Sequence, residues 1–292
     1  MKNTTIIIGE SASITQEIID KYGMVVVPFV IDWPGMEELS GNNIFEKMRD
    51  AEKKGIKTTP KTSQPSIGVY KKAFEETLKD SENVIAITIS SAISGTYNSA
   101  FQAKKMFDEA TQKRIFVFDS FNADVSESLL AIRTAEMIEE GKGGEEIMKV
   151  LGEEAKNLFL FGMLESPKWL EAGGRINHTT SVILSQMQKL GMRPVLSVVD
   201  GVIKPANLKM QAQDTANALF KQVEGVIKKP LSEGKKIKIG ISHADNLEEA
   251  QKLRTLIEDK YPDAKLEFIS ITSSVIGCHV GPGTLICCSI EN

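Results

Sequence analysis

Short apolar runs alternate with segments of helical period along the first half of the chain. The runs at 5–8, 24–30, 84–89 and 114–118 predict buried strands, because each is short and rich in β-branched or aromatic residues. The amphipathic stretches around these runs predict helices at 13–23, 63–79, 96–110, 126–140 and 145–156. This alternation is typical of a largely parallel sheet with helices packed on its faces.

Local signals refine the ends of these elements. Residues 13–16 read Ser-Ile-Thr-Gln, a capping box, and Gly23 follows the last helical position, so the first helix is expected between them. Pro65 is compatible with a helix only in its first turn, which predicts that the next helix starts at 63–66. Residues 32–61 hold Trp-Pro-Gly and a polar helical stretch at 44–53, and we expect them to leave the sheet as an excursion.

The chain changes character after Pro167, where glycines cluster and the apolar stretches shorten. We therefore expect two α/β domains, an N-terminal one at 1–160 and a smaller C-terminal one at 161–292. The predicted elements of the second domain are strands at 236–242, 266–271 and 284–290 and a helix at 246–261. Its last two strands flank a glycine-rich loop.

The composition agrees with an ordinary globular protein: of 292 residues, 41% are hydrophobic and 25% are charged. The net charge of −4 comes from acidic and basic residues that are interspersed, with no basic stripe interleaved with aromatic residues. Nucleic acid is therefore not an expected partner. No apolar run approaches the ~20 residues that span a bilayer, so we expect a soluble protein without membrane insertion.

The cysteines indicate a reducing compartment. All three, Cys278, Cys287 and Cys288, lie near the end of the chain, and their odd number makes a poor disulfide framework. The first apolar run is too short for a signal peptide, and together these features predict a cytoplasmic protein. His178 and His243 have no companions at metal-ligand spacing, so no metal site is expected.

The segment Ser90-Ser91-Ala92-Ile93-Ser94-Gly95-Thr96-Tyr97 joins a predicted buried strand to a helix. In an open α/β sheet such a loop lies at the carboxyl edge of the strands, where ligands bind. The unpaired N–H groups of the following helix favour an anion there. A simple Ser/Thr-rich helix cap explains the residues equally well, and the two interpretations stay open.

Three further loops carry polar residues in similar places. Residues 61–66 and 9–13 place hydroxyls directly before helices, where an ordinary N-cap is the simpler interpretation. The loop 277–283 places His279 among three glycines, where it could bond a carboxylate or play a structural part. Arg175, in the Gly-Gly-Arg segment, fits either an anion neighbour or a tight turn with a surface arginine.

Known catalytic motifs do not occur in the sequence. It contains no G-x-S-x-G elbow, no phosphate loop of the G-x-x-x-x-G-K type and no G-x-G-x-x-G after the first strand. Hydroxyl loops without a nearby general base favour binding over turnover. The alternative is an enzyme that acts on a small phosphorylated or carbonyl compound held by the Ser90–Thr96 loop. A hydrolase would need Ser94 or Ser91 activated by His279, and no third residue orients that histidine.

Taken together, several of these segments resemble the DegV family of bacterial lipid-binding proteins, in the family's order and at similar intervals. The matching segments are Thr62–Ser66, Ser90–Ala100, Asp119-Ser120, Gly173–Ile176, Arg193–Leu196, Asp200-Gly201 and His279–Gly283. The resemblance implies a two-domain α/β fold with a long-chain fatty acid in a tunnel at or near the domain junction. It also implies a lipid carrier without catalytic residues or cofactor.

The resemblance further implies how the ligand is held. The carboxylate is expected to bind the hydroxyls of Thr62 and Ser94, with His279 near the same head group. The supporting positions are Ser63, Ser91 and Gly95. Five apolar residues suit the wall of a tail channel: Phe159, Phe161, Met163, Met187 and Leu190. The same residue types at such spacings fit an ordinary hydrophobic core as well.

Three departures from the family pattern affect these expectations. Glu10 stands where the family has an aspartate before Ser11, and residues 121–126 replace a glycine-rich stretch, which is expected to reshape the tunnel wall. Some relatives present the bound acid to a separate ATP-dependent kinase, and these carry an arginine where this chain has Lys209-Met210. A lysine cannot reproduce the bidentate arginine fork, so we hypothesise poor presentation to such a kinase.

Overall fold

The computed structural model describes residues 2–190, 194–207 and 214–291. The strands are β1 Lys2–Gly9, β2 Val25–Val27, β3 Val30–Asp32, β4 Lys61–Ser63, β5 Ser81–Thr88, β6 Ile115–Asp119, β7 Leu158–Met163, β8 Val195–Val199, β9 Val202–Asn207, β10 Ile237–His243, β11 Ala264–Ile271 and β12 Leu285–Glu291. The helices are α1 Gln16–Tyr22, α2 Ile44–Lys53, α3 Ile67–Thr77, α4 Thr96–Lys105, α5 Glu109–Gln112, α6 Val125–Glu139, α7 Gly144–Glu154, α8 Lys168–Ala172, α9 His178–Lys189, α10 Thr215–Ser232, α11 Leu247–Lys260 and α12 Ser274–Val280.

The first sheet has the order β2-β1-β5-β6, with every pair parallel. Its central strands are almost wholly buried and read as continuous apolar runs, since helices cover both faces. Residues such as Ile7 and Val84 pack against α3 and α4, whereas Ile8 and Ile85 face α6. The predicted α/β class with a largely parallel first sheet is confirmed.

The second sheet has the order β11-β10-β12-β7-β8-β9. Only the β10–β11 pair is parallel, and the other four pairs are antiparallel. It starts with β7, so the boundary predicted near residue 160 falls inside the first strand of this sheet. The division into two domains stays a prediction, because one core cluster contains residues of both sheets and of α6, which packs between them.

Several predicted element ends are wrong. Thr15, and not Ser13, caps α1, while Gly23 ends that helix in the left-handed conformation as expected. The predicted strand at 24–30 is two strands in different sheets, because Pro28 interrupts it. Pro65 lies before α3, whose N-cap is Ser66.

Two more corrections concern longer segments. The predicted helix at 96–110 ends at Lys105, and α5 follows as a separate turn of helix. The glycine-rich segment 277–283 is not wholly a loop, since α12 runs through Val280 and includes His279. Ser273 caps this helix, and its hydroxyl accepts a hydrogen bond from the Ile276 N–H.

The excursion between β3 and β4 covers one end of the second sheet. The two strands pair antiparallel, with Ile31 opposite Thr62. Phe45 of α2 packs in a cluster that also contains Trp169 of α8 and Cys278 of α12. Arg49 on α2 forms a bidentate ion pair with Glu165 at 2.9 and 3.2 Å. These contacts fix β4, and therefore Thr62, above α12. Among the residues that the structure describes, no helix is long and apolar enough to cross a membrane.

Candidate functional site

A largely apolar cavity lies where the carboxyl ends of the first sheet meet one face of the second. The space free of protein atoms among its lining residues, including open solvent at the mouth, is about 770 Å³. The apolar and glycine lining residues are Phe29, Ile89, Ile93, Ala123, Leu160, Gly162, Leu164, Leu170, Leu196, Val198, Ile203, Val275, Ile276, Val280 and Ile286. The polar lining residues are Thr62, Ser94, Asp124, Arg175, Ser197 and His279. Such a lining suits a ligand with a long apolar part and a small polar end.

Thr62 and His279 meet in this cavity although 217 positions separate them. The Thr62 hydroxyl lies 2.7 Å from Nε2 of His279, and both residues line the cavity. β4 carries the threonine and α12 carries the histidine, and these two elements pack against each other.

His279 is buried and electrically neutral near pH 7. It is 7% exposed, and burial, together with the nearby positive charge of Arg175, lowers its pKa from 6.5 to about 4. Its Nδ1 atom is buried without a hydrogen-bond partner among the described residues. A Cβ atom at Gly173 would lie only 2.1 Å from this Nδ1, so a glycine is required there for the ring to fit.

Ser94 lines the same cavity at the start of α4. Its hydroxyl oxygen lies 2.8 Å from that of Thr96 and accepts a weak 3.4 Å bond from the Thr96 N–H. The N-cap residue of this helix is Gly95, which has no side chain to bond the helix end. The positive end of α4 therefore lies beside Ser94, where a carboxylate would be favoured.

The two hydroxyl loops touch each other directly. A Cβ atom at Gly95 would lie 2.7 Å from Nε2 of Gln64, so the absence of a side chain at Gly95 allows the close approach. Thr62 and Ser94 line one cavity, as the resemblance implied, and Gly95 follows Ser94 as the N-cap of α4. That these groups bind a ligand stays a prediction.

Two of the predicted supporting residues lie apart from the cavity. Ser63 is exposed and pairs with Val30 at the end of the β3–β4 ribbon. Ser91 is also exposed, and its backbone N–H donates to the Asp119 carboxylate. Neither side chain lines the cavity. Their predicted supporting role gains no geometric support.

Arg175 proves to be a cavity residue. Its guanidinium is partly buried, donates to the Gly173 carbonyl, and has no carboxylate within ion-pair distance in the described ranges. Burial lowers its pKa from the ordinary value, yet a guanidinium keeps its charge at neutral pH. From the sequence, Arg175 could be either a neighbour of a bound anion or a surface residue of a tight turn. In the structure it lines the cavity, together with Thr62 and His279.

The residues proposed from sequence for the channel wall are wrong. Phe161 and Met163 point from β7 into a separate core against α10, and Phe159 is 39% exposed. Met187 packs behind the wall, Leu190 is 75% exposed, and none of these five residues lines the cavity. The alternate residues Leu160, Gly162 and Leu164 do so, because successive side chains of a strand point to opposite faces.

The geometry does not support the hydrolase alternative. His279 Nε2 bonds Thr62, neither Ser94 nor Ser91 has His279 as a partner, and no carboxylate bonds the ring in the part of the chain that is described. A neutral histidine without an orienting acid lacks the arrangement that activates a serine. Across the described ranges, no group of three metal-ligating side chains is present either.

A cleft with one polar end and an apolar interior, between two sheets of an α/β fold, is typical of a binding protein for an amphipathic small molecule. The model of one protein family, described as "DegV: Uncharacterised protein, DegV family", matches residues 3–292. The chain belongs to the DegV family.

Individual relatives agree with this assignment. A DegV domain-containing protein of Clostridium perfringens is 32% identical over 252 residues, which are 85% of this chain and 81% of that protein. The crystal structure of DegV, a fatty acid binding protein from Bacillus subtilis, superposes with a TM-score of 0.80 at 27% identity and covers 100% of both chains.

A third relative shares the fold at lower identity. It is the Streptococcus pneumoniae Fatty Acid Kinase (Fak) B3 protein loaded with linoleic acid, with a TM-score of 0.77 and 20% identity. It covers 99% of both chains. At that identity the likeness concerns the fold alone.

Proposed function

We propose that this protein binds one long-chain fatty acid in the cavity between its sheets and acts as a carrier without bond chemistry of its own. The observation that carries the proposal is the convergence of Thr62, Ser94 and Arg175 in the wall of a largely apolar cavity. The B. subtilis relative at 27% identity is described as a fatty acid binding protein, which supports the same ligand class here.

The head group would be held by two hydroxyls and one cation. The unpartnered Nδ1 of His279 favours the tautomer in which Nε2 carries the proton and donates to the Thr62 oxygen. The Thr62 hydroxyl proton is then free to point at the ligand. In this arrangement Thr62 and Ser94 donate to the carboxylate, Arg175 balances its charge, and His279 orients Thr62.

The tail would supply most of the affinity. At ~0.8 kcal/mol per buried CH₂, a tail of about fifteen methylenes contributes on the order of 12 kcal/mol before costs. Each hydrogen bond to the charged carboxylate contributes about 1.5–3 kcal/mol. The polar groups therefore set the direction of the ligand and keep its desolvated head group paired.

A separate ATP-dependent kinase is the partner that the family resemblance suggests, and the S. pneumoniae relative is described as part of a fatty acid kinase. The hypothesis that this protein presents its bound acid poorly to such a kinase rests on Lys209 and Met210. These two residues lie outside the described residues. The hypothesis is tested by mixing the loaded protein with a fatty acid kinase and ATP. Efficient formation of acyl phosphate would refute it.

The binding proposal is tested by organic extraction of the purified protein and mass spectrometry of the extract. We expect about one long-chain fatty acid per protein, or stoichiometric uptake of added stearate by delipidated protein. The enzyme alternative predicts instead a small phosphorylated or carbonyl compound and no uptake of stearate. A Thr62→Val and Ser94→Ala double variant should retain less acid than its matched control, Ser63→Ala and Ser91→Ala.

A further inference from the structure

A buried carboxylate forms part of the cavity wall, and the proposed binding of the head group does not account for it. Asp124 is 1% exposed and immediately precedes α6. Its backbone has φ 58° and ψ −130°, a conformation that residues other than glycine rarely adopt. A strained, buried acid of this kind persists only where the surrounding structure holds it in place.

Two buried hydroxyls, from segments 229 positions apart in the sequence, hold this carboxylate. Ser13, in the loop after β1, donates to one oxygen, and Ser242, on β10 of the second sheet, donates to the other. The Ser13 oxygen also accepts from the Ser273 N–H at 2.8 Å. Because both carboxylate oxygens accept, the arrangement fits an ionised Asp124 that links the two sheets.

The charge on Asp124 is poorly compensated. Within the described part of the chain, no cation lies within ion-pair distance of it. Glu127 on α6 is fully buried, which raises its pKa well above the usual value, and burial raises the pKa of the Cys288 thiol to about 12. Other titratable or charged groups near the two ends of the elements around Asp124 include Glu10, Asp119, Arg175, His243 and His279, while Arg133, Glu136, Glu139 and Lys238 lie further along α6 and β10.

We propose that Asp124 takes up a proton from solvent when an acyl chain fills the cavity, so that occupancy of this site is linked to pH. The inference rests on the proposed function. An acyl chain offers no hydrogen-bond donor and replaces water in the cavity that Asp124 lines, which lowers the polarity beside the carboxylate. It therefore disfavours the ionised form of Asp124. By linkage, binding that raises the affinity for a proton is itself strengthened by that proton.

The pH range of this linkage follows from the state of the empty site. Burial raises the pKa of Asp124 from 3.8 to about 6, and the bonds from Ser13 and Ser242 oppose the rise. Below that pH the residue is already protonated, and affinity should be independent of its charge. Above it, affinity should fall with rising pH by up to about tenfold per unit, until the pKa of the occupied state is passed.

The test uses 1-tetradecanol, an acyl-chain analogue without a titratable head group, and stearate as the reference ligand. Calorimetry at pH 6.5 in two buffers of different ionisation enthalpy should show uptake of a fraction of a proton by the wild type, and none by Asp124→Asn. Affinity of the wild type should fall between pH 6 and pH 8. Glu139→Gln, an exposed carboxylate on the same helix, should keep the wild-type slope.

The outcomes separate the two proposals. Binding of tetradecanol without proton uptake by the wild type, or an equal pH slope in Asp124→Asn, overturns the role of Asp124 and leaves the carrier function intact. Failure of the wild type to bind either tetradecanol or stearate overturns the proposed function itself. Absence of proton uptake by the wild type overturns the role of Asp124 even if the Asp124→Asn variant does not fold.

Discussion

The two ends of the cavity are built in different ways. The polar end is assembled from short loop and helix-end segments that lie far apart in the sequence, and each contributes one or two side chains. Much of the apolar wall comes from neighbouring strands of the second sheet, such as β7, whose alternate residues Leu160 and Gly162 face the cavity. At the polar end, ligand binding is expected to depend on a few hydrogen bonds. Along the apolar wall, it is expected to depend on the volume that is available to the acyl chain. Changes in the wall should therefore have larger effects than changes at the polar end.

The largest effect is expected from filling the wall at Gly162. A Cβ atom there would lie 3.4 Å from Ile286, so Gly162→Ala fits in ordinary contact, whereas Gly162→Leu must project into the cavity. Displacing three or four methylenes of the tail would cost about 3 kcal/mol, or more than a hundredfold in stearate affinity. Titration of both variants with stearate checks this, and Phe159→Leu, on the other face of β7, serves as the control. Equal binding by Gly162→Leu and wild type would place the tail elsewhere.

The next effect concerns the stability of the polar end at low pH. Because the pKa of His279 is lowered from 6.5 to about 4, its contribution to folding is complete above pH 6.5 and is lost as the pH falls to 4. The loss amounts to about 3 kcal/mol at most. Denaturant unfolding of wild type and His279→Gln at pH 7 and pH 4.5 isolates it, since the buried carboxyl groups of Asp124 and Glu127 are present in both proteins. A stability difference that is the same at both pH values would contradict the assigned burial.

A smaller effect is expected from the hydroxyls. Thr62→Val and Ser94→Ala each remove one hydrogen bond to the carboxylate, which predicts about ten- to hundredfold weaker binding of stearate. The same substitutions should leave binding of tetradecanol nearly unchanged if an alcohol head group needs less support. Complete loss of lipid uptake by a folded single variant would show that the hydroxyls, and not the tail, dominate the affinity.

The smallest effect is expected from Ser63→Ala and Ser91→Ala. Both side chains are exposed and lie outside the cavity lining, so each variant should bind stearate within about twofold of wild type. A loss as large as that of Thr62→Val would restore the supporting role that the family resemblance implied for them. Fluorescence competition under identical conditions makes the four serine and threonine variants directly comparable.

The same contrast explains what the sequence could predict. Buried parallel strands and their helices follow from local periodicity, and the helix-start hydroxyls of Thr62 and Ser94 are visible as loops between such elements. The wall depends on which face of β7 points inward, which its continuous apolar run does not encode, so Phe161 and Met163 were chosen in place of Leu160 and Gly162.

Other features were hidden because their meaning depends on distant partners. Arg175 could not be separated from a surface turn until its neighbours were known. Asp124 looks like an ordinary polar residue before a helix, and only its burial with Ser13 and Ser242 marks it as part of the cavity wall. His279 was expected in a loop because glycines surround it. Those glycines instead make room for tight packing, as Gly281 does for Trp169.

The most direct test is a crystal structure of the delipidated protein soaked with stearate. We expect the carboxylate within hydrogen-bond distance of both the Thr62 and Ser94 hydroxyls, with the chain running inward past Gly162. A carboxylate that contacts neither hydroxyl, or a chain that lies outside the space between the two sheets, would contradict the account.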